Sequence, residues 1–271
     1  MGRPLWLVKI IEILFPFIKK IAKFTHIPLL KSFFKKALFE GDNIIYLPKD
    51  TSISIGQNVE IPQNLVLPSE IVKYFIKQTD FHWKMNFCIC RDAMQCKDYP
   101  IDYGCLFLGR AILDINPKLG KRIKKEDALK YVEECREKGL VHLIGKNRLD
   151  AQWLGVKNGN QLLSICNCCP CCCLWRISPV LHSSIGQKIK KMPGVKVKVN
   201  QNKCVGCGIC IDICFVDAIR VSEGKANISA ECRGCGRCVE VCPSEAITLT
   251  LSNPDYYDST INEMKNIIDL D

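Results

Sequence analysis

Only four histidines, His26, His82, His142 and His182, occur in 271 residues, and they are scattered. Each reads as a surface or packing residue rather than a metal ligand. The chain has no phosphate-cradling G-x-x-x-x-G-K-[ST] loop and no H-E-x-x-H zinc helix, and its G-x-G triplets lie outside any dinucleotide-binding context. The C-x3-C-x2-C run of radical S-adenosylmethionine chemistry is also missing. Within residues 5–24 the longest uncharged run, 13–18, falls far short of the ~20 apolar residues that span a bilayer. Lys9 and Glu12 interrupt the apolar core that a secretory signal needs. Without such a signal, nineteen cysteines point to metal thiolates in a reducing cytoplasm rather than to disulfides.

Eight of those cysteines fall into two copies of one spacing. Cys204, Cys207, Cys210 and Cys214 follow C-x2-C-x2-C-x3-C, and Cys232, Cys235, Cys238 and Cys242 repeat it 28 positions later, closed by Pro243. Three thiolates two residues apart can wrap one corner of an iron–sulfur cube, while the fourth points away to the other cube. Cys204, Cys207, Cys210 and Cys242 are therefore expected to hold one [4Fe–4S] cluster, and Cys232, Cys235, Cys238 and Cys214 the second. Gly206, Gly208, Gly234 and Gly236 let the backbone wrap tightly and turn its N–H groups towards sulfur. Ala218-Ile219 and Ala246-Ile247 hold matching places after each fourth cysteine, where they can pack on the cubes. A zinc ribbon needs only four ligands and leaves the other four cysteines unexplained.

On these motifs residues 200–251 resemble a bacterial-type two-cluster ferredoxin, with Phe215 standing where that pattern usually has proline. The resemblance implies low-potential electron transfer through the two clusters.

Ten more thiols lie outside the repeat and outside Cys135, which sits on the apolar face of a predicted helix and reads as a buried structural cysteine. Cys88, Cys90, Cys96 and Cys105 form a loose set. Cys166, Cys168, Cys169, Cys171, Cys172 and Cys173 crowd into eight residues. Neighbouring cysteines point in different directions, so the dense string should divide its thiols between a metal site and a second role. At least one further iron–sulfur cluster is expected from these residues, with zinc as the alternative because four thiolates suit it equally well. From 85 to 251 the pattern also resembles a poorly characterised group of larger iron–sulfur proteins from anaerobes. That resemblance implies extra iron–sulfur sites and no particular substrate.

The formal charge is +10, and two clusters carrying about −2 each would bring it to about +6. Residues 1–40 hold eight Lys/Arg against two Asp/Glu, whereas residues 200–271 hold six against eleven, so the two ends suit different partners. Residues 5–24 and 28–38 have apolar and lysine positions at helical spacing, with a kink expected at Pro16. Such an arm can lie in an anionic membrane interface as a peripheral element or pack on protein, and both readings stay open. It interleaves lysine with bulky aliphatics and has little arginine, which argues against nucleic acid.

The expected fold is α+β: a basic helical arm (1–42), a cysteine-rich α/β domain (43–182), a linker (183–199), the ferredoxin-like domain (200–252) and a tail (253–271) ending in a short docked helix at 261–270. Within the second of these, helices are predicted at 69–77 and 125–138, strands at 85–91, 140–144 and 161–165, and irregular structure with short strands over 43–67. The first functional reading is an electron carrier serving a redox partner such as a reductase or flavoprotein. The second is an iron–sulfur oxidoreductase whose central cluster is fed by the ferredoxin module.

Overall fold

In the computed structural model, residues 2–53 and 66–270 are described, so the part of the expected irregular segment at 54–65 lies outside them. The arm comprises α1 (Leu5–Leu14), α2 (Ile18–Lys23) and α3 (Pro28–Leu38), and a tight helical turn at Phe15–Phe17 absorbs Pro16. Pro28 opens α3 at a position where its missing N–H costs nothing. The body follows in the order β1 (Asn43–Tyr46), α4 (Pro68–Lys77), β2 (His82–Met85), α5 (Ile89–Ala93), β3 (Leu106–Leu108) and β4 (Gly120–Arg122). It continues through α6 (Lys125–Glu137), β5 (Val141–Lys146), α7 (Arg148–Leu154), β6 (Leu163–Cys168), α8 (Ser183–Gly186) and β7 (Ile189–Lys191). Acidic Glu126 and Asp127 in the first turn and Arg136 in the last suit the dipole of α6, and Gly139 ends it at φ 74°.

Seven strands form one sheet in the order β4-β2-β3-β6-β5-β1-β7. Every neighbouring pair is antiparallel except β1 with β7. The protein is therefore mixed helix and sheet of the α+β kind, and among the described residues the expected α/β domain has no parallel βαβ unit. Strand alternation gives the sheet two different faces. Ile45, Ile144 and Ile165 face α4, α6 and the C-terminal helix, while Tyr46, Leu143, Cys166 and Cys168 face the arm and the segment around Trp175. Val8 of α1 buries against Trp83, Met85 and Phe107 on that second side. The arm thus packs one face on the body.

The region of the two repeated cysteine motifs adds β8 (Val195–Val199), α9 (Ile209–Asp212), β9 (Ile219–Ser222), β10 (Lys225–Ile228), α10 (Arg237–Glu240) and β11 (Ile247–Leu251). Strands β8 and β11 pair antiparallel, as do β9 and β10. Residues 183–199 are not a linker. Ile189, Met192 and Val195 are buried, β7 extends the large sheet and β8 pairs with β11 beyond the second cysteine motif, so pairing and apolar burial tie the two parts together. The final helix, α11 (Tyr256–Lys265), starts earlier than expected and docks through Tyr256, Ile261 and Met264.

Candidate metal centres

Each repeated motif makes a loop followed by one helical turn. Gly208 and Gly236 enter α9 and α10 at φ 81° and 84°, a left-handed backbone that favours glycine. One small cavity, about 10 Å³, is lined by Cys204, Cys207, Cys210 and Cys242, and another of about 20 Å³ by Cys214, Cys232, Cys235 and Cys238. The fourth cysteine of each motif therefore faces the cavity of the other. Backbone N–H groups of Ala226, Ala218, Gly234 and Ala246 donate to Sγ of Cys204, Cys214, Cys232 and Cys242 at 3.3, 3.3, 3.4 and 3.3 Å. Ile219 and Ile247 wall one cavity each. Burial pushes up the thiols of Cys210, Cys214, Cys232 and Cys238, so occupation by metal has to displace their protons. Cys207 is the one exposed ligand candidate, ringed by exposed Val205, Ile209 and Ile211.

The ten remaining thiols separate into two groups. Cys88, Cys90, Cys105, Cys166, Cys168 and Cys173 line a cavity of about 340 Å³, roofed by Leu7, Ile11, Phe15 and Ile18 of the arm. Cys105 and Cys166 approach to 3.6 Å between sulfurs, and Cys90 and Cys173 are the neighbours that most influence the thiols of Cys88 and Cys168. The neighbouring Cys90 holds the Cys88 thiol below its ordinary range. On the other side of the string, the sulfurs of Cys96, Cys169, Cys171 and Cys172 all lie within 4.8 Å of one another. Cys169 also borders the large cavity.

Two local expectations fail here. Residues 85–91 are not a strand: β2 ends at Met85, where its pairing to β3 and β4 runs out, and the backbone turns into α5 with Asp92 N–H donating to Cys88 O at 2.9 Å. Cys88 and Cys90 meet across that helical turn rather than along a strand face. Strand β6 also runs on to Cys168, so Cys166 and Cys168 belong to the sheet and share its arm-facing side. Cys135 is fully buried on α6, and none of the four histidines joins a thiol group; buried His142, for example, bonds Asn167 Oδ1 at 2.9 Å.

Residues 197–249 match the family described as a 4Fe-4S dicluster domain. Ferredoxin-2 of Desulfomicrobium norvegicum is 46% identical over 33 residues, a match covering 12% of this chain and 56% of that protein. Residues 197–249 are a bacterial-type ferredoxin module. The chain thus aligns with little more than half of that curated relative, and no solved structure matches it. The spread of four sulfurs round each small cavity, with N–H groups aimed at sulfur, fits the clusters this family carries.

Beside the ferredoxin module, the large cavity has features that cysteine spacing did not reveal. Arg91 and Arg237 are 1% and 3% exposed, and Arg91 Nε and Arg237 Nε and Nη1 have no hydrogen-bond partner. Arg91 Nη1 donates to Asn167 O at 2.8 Å, and Arg237 Nη2 donates to Cys168 O. Buried cations with idle donors are costly, whereas an anionic metal–thiolate centre supplies charge and acceptors for them. Arg91 was visible as the arginine of C-x-C-R, but nothing in the sequence aimed it inward. Phe215, where the ferredoxin pattern usually has proline, is buried, its ring 4.7 Å from that of Tyr46, and the Tyr46 hydroxyl lies 3.5 Å from Cys173 Sγ.

Proposed function

We propose that the chain is an iron–sulfur electron-transfer protein in which the ferredoxin module exchanges electrons with a further iron–sulfur cluster in the large central cavity. In the module, Cys204, Cys207, Cys210 and Cys242 would hold one cube, and Cys214, Cys232, Cys235 and Cys238 the other. Ligands of the central cluster would come from Cys88, Cys90, Cys105, Cys166, Cys168 and Cys173. The observation that carries this reading is the continuous buried contact from one site to the next. Phe215 lines the cavity of Cys214, Cys232, Cys235 and Cys238 and packs against the Tyr46 ring, and Tyr46 touches Cys173 of the central cavity. Arg237 bridges the same gap, lying 5.8 Å from the Phe215 ring and bonded to Cys168 O. A redox partner would dock at the opposite end, on the exposed apolar rim around Cys207, where the outer cube comes nearest to solvent.

A second reading, a reductase, rests on the size of the central cavity. At about 340 Å³ against about 10 and 20 Å³ for the two ferredoxin cavities, it has room for a small substrate beside a cluster. The arm adds a location. Among the described residues no helix is long and apolar enough to cross a membrane. Among the described residues, twelve of the eighteen exposed large hydrophobic side chains nevertheless lie between Leu5 and Phe33, among them Trp6, Ile13 and Phe17, interleaved with Lys9, Lys19, Lys20 and Lys23. That outer face suits an anionic lipid surface, with lysines reaching the head groups.

Iron and acid-labile sulfide counts on anaerobically prepared protein, with EPR of the reduced state, test the central proposal. More than eight irons per chain and a third reducible signal support it. Eight irons with only the two ferredoxin signals refute it. A third signal that changes on adding small thiols or candidate oxidants favours the reductase.

A further inference from the structure

We infer that Cys96, Cys169, Cys171 and Cys172 form a mononuclear tetrathiolate site for zinc, separate from every iron–sulfur centre of the protein. The inference rests on sulfur spacing. Cys96 and Cys171 stand 3.4 Å apart, Cys171 and Cys172 3.6 Å, and all four sulfurs lie within 4.8 Å of one another. Four thiolates around one zinc ion, each at about 2.3 Å, have tetrahedral edges of about 3.8 Å. A cube spreads its thiolates further, because each binds a different iron at a separate corner. The ferredoxin module provides an internal comparison. Its cysteines also come in fours and ring their own cavities, yet among the described residues only the Cys96 group converges to single-ion spacing.

The surroundings complete a closed structural site. Cys169 Sγ accepts the backbone N–H of Cys172 at 3.3 Å, and the buried guanidinium of Arg91 is near enough to interact electrostatically with the same sulfur. A tetrathiolate around a divalent ion carries a net charge of about −2, which the buried guanidinium offsets. All four ligands are protein side chains, leaving no open position of the kind a catalytic zinc keeps.

The placement also gives the ion a task. Cys96 lies just beyond α5, whose first turn carries Cys90, and Cys169, Cys171 and Cys172 lie in the turn between Cys168 and Cys173. Zinc would pin these two segments together and so fix Cys88, Cys90, Cys168 and Cys173 around the central cavity. Zinc neither accepts nor donates electrons, so the site would brace the redox centre without joining its electron path.

The test uses the full chain, prepared anaerobically, with zinc, iron and sulfide measured on the same sample. One zinc per chain, with an absorption-edge spectrum fitted by four sulfurs at about 2.3 Å and no nitrogen or oxygen, is the expected result. Cys96→Ser and Cys171→Ser should each lose that zinc while the ferredoxin EPR signals remain at full intensity. The wild-type spectrum decides even if both variants fail to fold. Zinc-free protein, zinc with nitrogen or oxygen ligands, a Cys96–Cys171 disulfide, or iron at these four sulfurs would each overturn the inference. Because the central cluster is read from iron beyond eight and from a third EPR signal, its failure and the failure of the zinc site are told apart in one preparation.

Discussion

Replacing Tyr46 by Phe removes one hydroxyl from the proposed contact path and little else. The ring is fully buried and packs at a tilt against Phe215, 4.7 Å between ring centroids, so the substitution keeps volume and packing. What disappears is the contact to Cys173 Sγ at 3.5 Å. A neutral hydrogen bond contributes about 1 kcal/mol net and one to a charged acceptor about 1.5–3 kcal/mol. The increment on making the acceptor more negative is therefore about 1 kcal/mol. With a tenfold change in equilibrium constant equal to about 59 mV for one electron, that increment corresponds to about 40 mV. The reduced state, being the more negative, loses more. Tyr46→Phe should accordingly move the central cluster about 40 mV more negative, while both ferredoxin clusters stay where they were. The assay is an EPR-monitored redox titration of wild type and variant. Tyr256→Phe serves as the control, since Tyr256 lies in the core on the opposite face of the sheet and its hydroxyl has no partner. A central signal that does not shift, or a ferredoxin signal that shifts in its place, would refute the path.

Cys242→Ser should remove the cluster of Cys204, Cys207 and Cys210, about half of the module's iron, and spare the cluster of the motif in which Cys242 lies; selective loss of the other EPR signal would disprove the crossed ligation. Changing Trp6, Ile13 and Phe17 together to Ser should abolish co-flotation with anionic vesicles without changing the iron content, since all three point outward. Wild-type protein that fails to float at low salt would show the arm to be a packing element alone. Burial raises the carboxyl of Asp42 from its ordinary 3.8 to about 7, with one oxygen left unpaired. The folded state therefore holds this proton more tightly, and the stability it confers is complete below pH 3.8 and is lost as pH rises through 7. Between pH 5 and 8 the loss should be roughly 2–3 kcal/mol. Asp42→Asn should flatten that slope in denaturant titrations, and an unchanged slope would contradict the buried-acid reading.

The eight ferredoxin cysteines were legible because their chemistry is local: three thiolates two residues apart, with glycines between them, must wrap the same corner wherever the loop lies. The amphipathic arm and helix α6 were legible for a similar reason, since helical spacing repeats every turn. The same local reasoning misplaced the strand at 85–91, because alternation over five residues says nothing of whether a neighbouring strand is there to pair. It also misread 183–199, whose glycine, proline and lysines suggested a linker until Ile189 and Val195 found partners in β1 and β11.

The sequence by itself determined that ten further thiols exist and that a string so dense has to divide its roles. Tertiary structure alone decided the division. Cys96 and Cys171 are 75 residues apart, and their sulfurs meet only because the turn after β6 folds onto the loop after α5. Strand alternation sends Cys166 and Cys168 beneath the arm, while the turn carries Cys169, Cys171 and Cys172 towards Cys96. Arg91, Arg237 and Tyr46 entered the site in the same way. Each is an unremarkable residue in the chain, and its importance comes from being buried beside sulfur, where an unpaired charge or hydroxyl is too costly to lack a partner.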